Sequence, residues 1–203
     1  VEVKPRTVLR LVLALAPLAG CVQLPHPVAL SDQQQTLARR VGDYLDGLRR
    51  FRADYSQTGF LGPGAGTVWV DRPGRLRVTA AGRGGKDIVA NDGVLVVTDR
   101  ASGGMTTTKL SRTPLCLLLQ PHISLSGAVG IDALRATPDQ IVLTVQDTAH
   151  PEQGSLTLTF AASPMTLTGV TATDIHGRTL GLTLTNLAAG ATPPEGEFAL
   201  PGE

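Results

Sequence analysis

The sequence predicts an α+β protein that is mainly antiparallel β. The expected form is a half-open, curled barrel of about eleven strands, covered by an N-terminal amphipathic helix and a short lid helix. Three observations predict it. Residues 31–51 place apolar side chains along one helical face. From about Arg52 onward, short runs alternate with period two and are broken by turn peptides. Late in the first half, Leu115-Cys116-Leu117-Leu118-Leu119 forms a short, wholly apolar run introduced by Pro114.

In the first helix, Leu37, Val41, Tyr44, Leu45 and Leu48 share the apolar face. Ser31, with Gln34 three residues on, supplies a capping-box start. The strands are delimited by GPGAG, RPGR, GRGG, NDG, SGG, TPDQ, HPEQG, ASP and IHGR. Breaks this short join antiparallel neighbours. Alternation is clearest in Ile141, Leu143 and Val145, in Leu156, Leu158 and Phe160, and in Leu180, Leu182 and Leu184. The positions between them are largely polar or threonine, so one face is aliphatic and the other rich in hydroxyls. A large sheet with one apolar face must close on itself or be covered. The cover is the run after Thr113, with that threonine as a hydroxyl cap and Pro114 at the first helical position.

Residues 1–20 read as an export signal. Lys4, Arg6 and Arg10 give a positive start, and residues 11–16 are apolar but too few to span a bilayer. Leu18, Ala19 and Gly20 before Cys21 resemble the bacterial lipobox, which makes Cys21 the expected lipidation site and the mature N-terminus. The alternative is an ordinary secretory signal cut near Ala29 to Ser31. Residues 22–30, with Pro25 and Pro27, read as an extended tether, and 31–203 as one domain. Either way the expected location is extracytoplasmic, with Cys21 the candidate membrane anchor. Cys116 is the second of two cysteines, so no disulfide framework can be drawn.

Composition narrows function. Eighteen Lys and Arg face seventeen Asp and Glu, giving a formal charge of +1, which lacks the basic stripe that nucleic-acid binding needs. Aromatic residues make up 3% of the chain, too few for base stacking. There is no G-x-S-x-G elbow, H-E-x-x-H or P-loop, and Gly84-Gly85-Lys86 reads as a turn. His26, His122, His150 and His176 fall in separate turn contexts, so no metal site, cofactor or catalytic group is expected. Asp139, Asp147, Glu152 and Asp174 likewise sit near predicted turns.

The succession GTVWVDRPGRLRV, DIVANDGVLVVTD and RTPLCLLL resembles the periplasmic outer-membrane lipoprotein carrier family, LolA, whose fold is related to that of the outer-membrane receptor LolB. RFRADYSQTG before it and GSLTLTFAASPMTLTGVTATDIHGRTLGLTLTNL after it fit the same order and spacing. The resemblance implies a non-enzymatic protein whose apolar cavity carries lipoprotein acyl chains across the periplasm. It implies that Arg72, the arginine of the Arg-Pro pair, hydrogen-bonds to the lid helix and holds the empty form closed. The lid would comprise Pro114, Leu115, Cys116, Leu117, Leu118 and Leu119. The cavity would be lined by Trp69, Leu76, Val78, Ile141, Leu143, Val145, Leu156, Leu158, Phe160, Leu180, Leu182 and Leu184. An inner-membrane, ATP-driven release complex would load it, and an outer-membrane receptor would accept the cargo. Three features depart from the family pattern: the lipobox, which belongs to the receptor, the few aromatic residues along the predicted strands, and Cys116 in the lid, where a larger apolar residue is expected. The open alternatives are a membrane-anchored acceptor of lipoproteins or of another lipid, an esterase with a hidden site, and a structural envelope lipoprotein with a filled barrel.

Overall fold

The computed structural model describes residues 30–125 and 129–202. The export signal, Cys21 and nearly all of the tether lie outside the described residues.

Helix α1 spans Asp32–Gly47. Its capping box is formed as expected: Ser31 Oγ accepts from the Gln34 N–H at 3.3 Å, and Gln34 Oε1 accepts from the Ser31 N–H at 3.0 Å. Ala38, Val41 and Leu45 form its buried stripe. The helix ends four residues before the position that the periodicity predicts. Arg50 and Phe51 instead open a strand, opposite Asp71 and Val70, where Phe51 is 2% exposed. Tertiary pairing outweighs local periodicity there.

Eleven strands then form one antiparallel sheet: β1 (Arg50–Gly59), β2 (Gly64–Asp71), β3 (Arg75–Ala80), β4 (Lys86–Asn91), β5 (Val94–Asp99), β6 (Met105–Lys109), β7 (Val129–Ala136), β8 (Gln140–Asp147), β9 (Ser155–Ala162), β10 (Met165–Thr173) and β11 (Thr179–Ala189). Their spatial order is β6-β5-β4-β3-β2-β1-β11-β10-β9-β8-β7, so the first strand pairs with the last in the middle of the sheet. The sheet curls without closing, and β6 and β7 are its free edges. Hairpins follow the turn peptides of the sequence. At NDG, Asp92 and Gly93 both have positive φ, 49° and 76°, the backbone of a two-residue hairpin between β4 and β5.

Between β6 and β7 lie a 3₁₀ turn (Leu110–Arg112) and the short helix α2 (Leu115–Leu118). Thr113 does not cap α2 through its hydroxyl. That hydroxyl donates to Leu110 O at 2.8 Å and closes the preceding turn, and Pro114 occupies the cap position.

The concave face of the sheet is covered in two parts. Helix α1 packs toward the β7–β10 half: Gln34 Nε2 donates to Leu134 O at 3.2 Å, Tyr44 Oη accepts from the Leu167 N–H at 3.0 Å, and the Tyr44 ring meets Phe160 edge-on at 5.8 Å. Helix α2 roofs inner residues of β2, β3, β4, β10 and β11. On the outer face hydroxyls pair across strands, as between Thr144 and Thr157 at 3.0 Å.

Candidate ligand-binding site

Alternation along β2 and β3 turns Val68, Val70, Leu76 and Val78 inward, and β11 contributes Leu180, Leu182 and Leu184. Together with Leu115, Leu118 and Leu119 of the α2 segment they enclose an almost wholly apolar pocket of about 40 Å³. Ile88, Leu115, Ala172 and Leu180 also belong to a neighbouring cleft of about 560 Å³. The cleft opens at one end of the sheet, where Phe60, Ile175 and Arg178 meet Thr106, Thr108 and Arg112. A narrow greasy chamber under α2 thus shares a wall with a wide amphipathic vestibule.

The predicted cavity residues divide between the halves of the sheet. Leu76, Val78, Leu180, Leu182 and Leu184 line the chamber. Ile141, Leu143, Val145, Leu156, Leu158 and Phe160 do not line it. They are 0–3% exposed and form packed core on the side covered by α1, where Val145, Leu156 and Leu158 border a void of only about 10 Å³. Trp69 is a correction: Val68 and Val70 on either side of it point inward, so its ring lies on the outer face. Sequence reasoning missed Phe51, Val68, Val70, Ile88, Val170 and Ala172. Val68 and Val70 flank Trp69 in a run with no polar member, which leaves their face ambiguous. Val170 follows a register shift between Leu167 and Gly169 that breaks the period of β10.

A dense set of polar contacts fixes the far side of α2. Arg72, in the β2–β3 turn, is 6% exposed. Its Nη2 donates to Leu45 O and, at 3.2 Å, to Asp46 O, both at the C-terminal end of α1. Its Nη1 donates to Gln120 O, just beyond α2, at 3.5 Å. The guanidinium therefore ties the end of α1 to the residue two beyond α2, with its charge at the negative pole of α1. Burial pushes its pKa down, and Asp46 counters this. Nearby, the Gly74 N–H donates to Leu119 O at 2.9 Å and Arg49 Nη2 to Pro121 O at 3.0 Å. Asp46 Oδ1 accepts from the Ile123 N–H at 3.3 Å and lies 3.4 Å from His122 Nδ1. Partial burial raises the Asp46 carboxyl pKa, but these donors outweigh it and hold the carboxyl below the usual range. On the vestibule side, Cys116 Sγ donates to Gln153 Oε1 at 3.4 Å. The thiol sits in apolar surroundings that raise its pKa, with Asp147 adding to the effect.

The vestibule carries two ion pairs, Lys86 with Asp99 at 2.5 Å and Arg178 with Asp174 at 2.7 Å, together with exposed Arg112 and Glu152. Asp174 also accepts from the His176 and Arg178 N–H groups, so it serves its own turn. Among the described residues no cluster of three metal-ligating side chains occurs, and no helix is long and apolar enough to cross a membrane.

The family model described as "Outer membrane lipoprotein carrier protein LolA" matches residues 46–201. The chain belongs to the LolA family. The match takes in all eleven strands, Arg72 and α2, and starts at the end of α1. LolA proteins are by that description a carrier family. Similar solved structures include a LolA-superfamily protein of Nitrosomonas europaea (11% identity, 80% of this chain and 97% of the other, TM-score 0.44). LprF of Mycobacterium bovis is 14% identical over 81% of this chain and 97% of its own, with a TM-score of 0.38. MucB of Pseudomonas aeruginosa, solved with MucA, is 14% identical over 84% of this chain and 61% of its own, with a TM-score of 0.45. No curated protein matches the chain.

Proposed function

We propose that this protein shelters the acyl chains of lipoproteins beneath α2 and carries them through the periplasm toward the outer membrane. One observation carries the reading: an apolar chamber, roofed by a hydrogen-bonded four-residue helix and adjoining a 560 Å³ vestibule, in a LolA-family chain. Ligand sites for small molecules span roughly 300–1,000 Å³. The chamber, at about 40 Å³, is the closed state, and loading lifts α2.

The energies agree with such a cycle. Opening breaks the Arg72 contact to Gln120 and the Gly74 contact to Leu119, which together contribute on the order of 2–5 kcal/mol. Burying an acyl chain returns about 0.8 kcal/mol per methylene, so about six methylenes offset the latch. Aliphatic walls hold a chain without directional bonds, which suits handover.

An inner-membrane, ATP-driven release complex supplies the cargo in this reading, since the sequence carries no nucleotide motif, and an outer-membrane receptor accepts it. The test adds the chain from Ser31 onward to spheroplasts supplied with ATP and measures newly made lipoprotein in the supernatant. Release supports the carrier; absence of release overturns it. The lipobox-like Leu18-Ala19-Gly20-Cys21 favours a second reading, an anchored acceptor. That protein would fail to release lipoprotein but would take it from a loaded soluble carrier.

A further inference from the structure

Three large apolar side chains are exposed among the described residues: Phe60 at 52%, Met105 at 61% and Ile175 at 59%. All three stand at one end of the sheet. Phe60 lies in the β1–β2 connection and Ile175 in the β10–β11 connection. The two connections touch, since the Phe60 N–H donates to Thr179 O at 2.9 Å. Met105 opens the edge strand β6 between Gly104 and Thr106, which line the vestibule as Phe60 and Ile175 do. The arrangement is built rather than loose. A Cβ at Gly59, where φ is +110°, would fall 2.0 Å from Thr179 O, so only glycine lets the two connections close up and present Phe60 beside Ile175.

Isolated exposed apolar residues are ordinary, but convergence on the rim of one cleft is not. Phe60 and Ile175 project from hairpin tips instead of lining a groove, a shape that enters a fluid layer more readily than it fits a rigid partner. Charge at the rim is suited to a headgroup layer. The Arg178 guanidinium stacks over the Phe60 ring at 5.1 Å and pairs with Asp174 at 2.7 Å, and exposed Arg112 and Glu152 lie on the same vestibule wall, so the rim presents balanced charge of both signs, as a zwitterionic headgroup layer does. The vestibule behind the rim shares Ile88, Leu115, Ala172 and Leu180 with the apolar chamber, so a rim seated in lipid sets acyl chains one side chain away from it.

We infer that this end of the molecule docks onto the headgroup layer of a lipid bilayer, with Phe60 and Ile175 inserted and Arg112 at the phosphates. The inference rests on the lipid-binding reading for its purpose but is tested separately. In the full chain with Trp69→Phe, a single tryptophan is placed at Phe60 or, at the opposite end of the sheet, at the exposed Asp139. Vesicles of phosphatidylcholine and phosphatidylglycerol with brominated acyl chains are then added. Docking predicts strong quenching at position 60 and little at 139, whatever part the N-terminal segment plays in holding the chain at the membrane. Equal quenching at both positions, or none at 60, overturns it. If the Phe60→Trp chain fails to fold, Ile175→Trp gives the same readout.

The double variant Phe60→Ser, Ile175→Ser should lose quenching about tenfold at a reporter placed at Met105 while keeping a cooperative thermal transition, because both side chains are more than half exposed. A rim that serves a second copy would instead show a dimer in sedimentation that this variant abolishes, which also overturns bilayer docking. Uptake of a fluorescent fatty acid from water without quenching at position 60 would preserve the lipid-binding reading and remove only the docking.

Discussion

Arg72 shows how one buried side chain can complete two elements at once. Every helix ends with carbonyls that lack a partner within it, and here a buried guanidinium satisfies Leu45 O and Asp46 O while reaching Gln120 O. Replacing it with leucine leaves those carbonyls under a greasy cover. Arg72→Leu should lower stability by about 2 kcal/mol, read as a fall of roughly 4–8 °C in the thermal midpoint. It should also still bind lipoprotein but pass it on poorly, because the contacts that favour the empty, closed form are gone; normal transfer to outer-membrane vesicles would refute the latch. Asp99 makes a separate prediction. Hydrogen bonds from Lys86, Ser102 and Ala101 lower its pKa from 3.8 to about 2. A depressed carboxylate contributes stability above its unfolded pKa and loses it as pH falls through the folded value. The difference in thermal midpoint between the wild type and Asp99→Asn should therefore be constant above about pH 5 and shrink toward pH 2. A difference that did not change with pH would mean the carboxylate makes no linked contribution.

Among the elements, the two covers of the sheet set different rules for the residues beneath them. Under α1, Leu143 is fully buried in packed core, and Leu143→Ala should cost about 2–5 kcal/mol in denaturant unfolding. Under α2, Leu182 borders existing space, so Leu182→Ala should cost less and should change the affinity for a fluorescent fatty acid, which Leu143→Ala should leave alone. Equal losses of stability would mean that both halves are filled. This division could not be read from the chain, since a strand that faces a core and one that faces a chamber show the same alternation. Turns were legible because their chemistry is local: NDG carries its own hairpin geometry. The end of α1 was not, because Arg50 and Phe51 continue a helical pattern until β2 pairs with them. Trp69 marked the right strand and the wrong face.

On the scale of the whole molecule, the class, the strand number and the covering helices were all evident before any coordinates, because aliphatic and hydroxyl residues alternate through most of the second half. What local pattern does not encode is the pairing of β1 with β11, of Tyr55 with Leu184, at the centre of the sheet. That pairing has a consequence in time. A strand that forms its central ladder with the last strand of the chain must wait for nearly the whole sequence to appear, and contacts so distant in sequence form slowly. Until residues 179–189 arrive, the second edge of β1 and that of β10 stay bare, open to pairing with another chain. A chain cut after Arg178 should therefore aggregate rather than fold, as light scattering and the absence of a cooperative melt would show. The same delay keeps a newly made copy extended, the condition in which a polypeptide can still be threaded through a narrow pore.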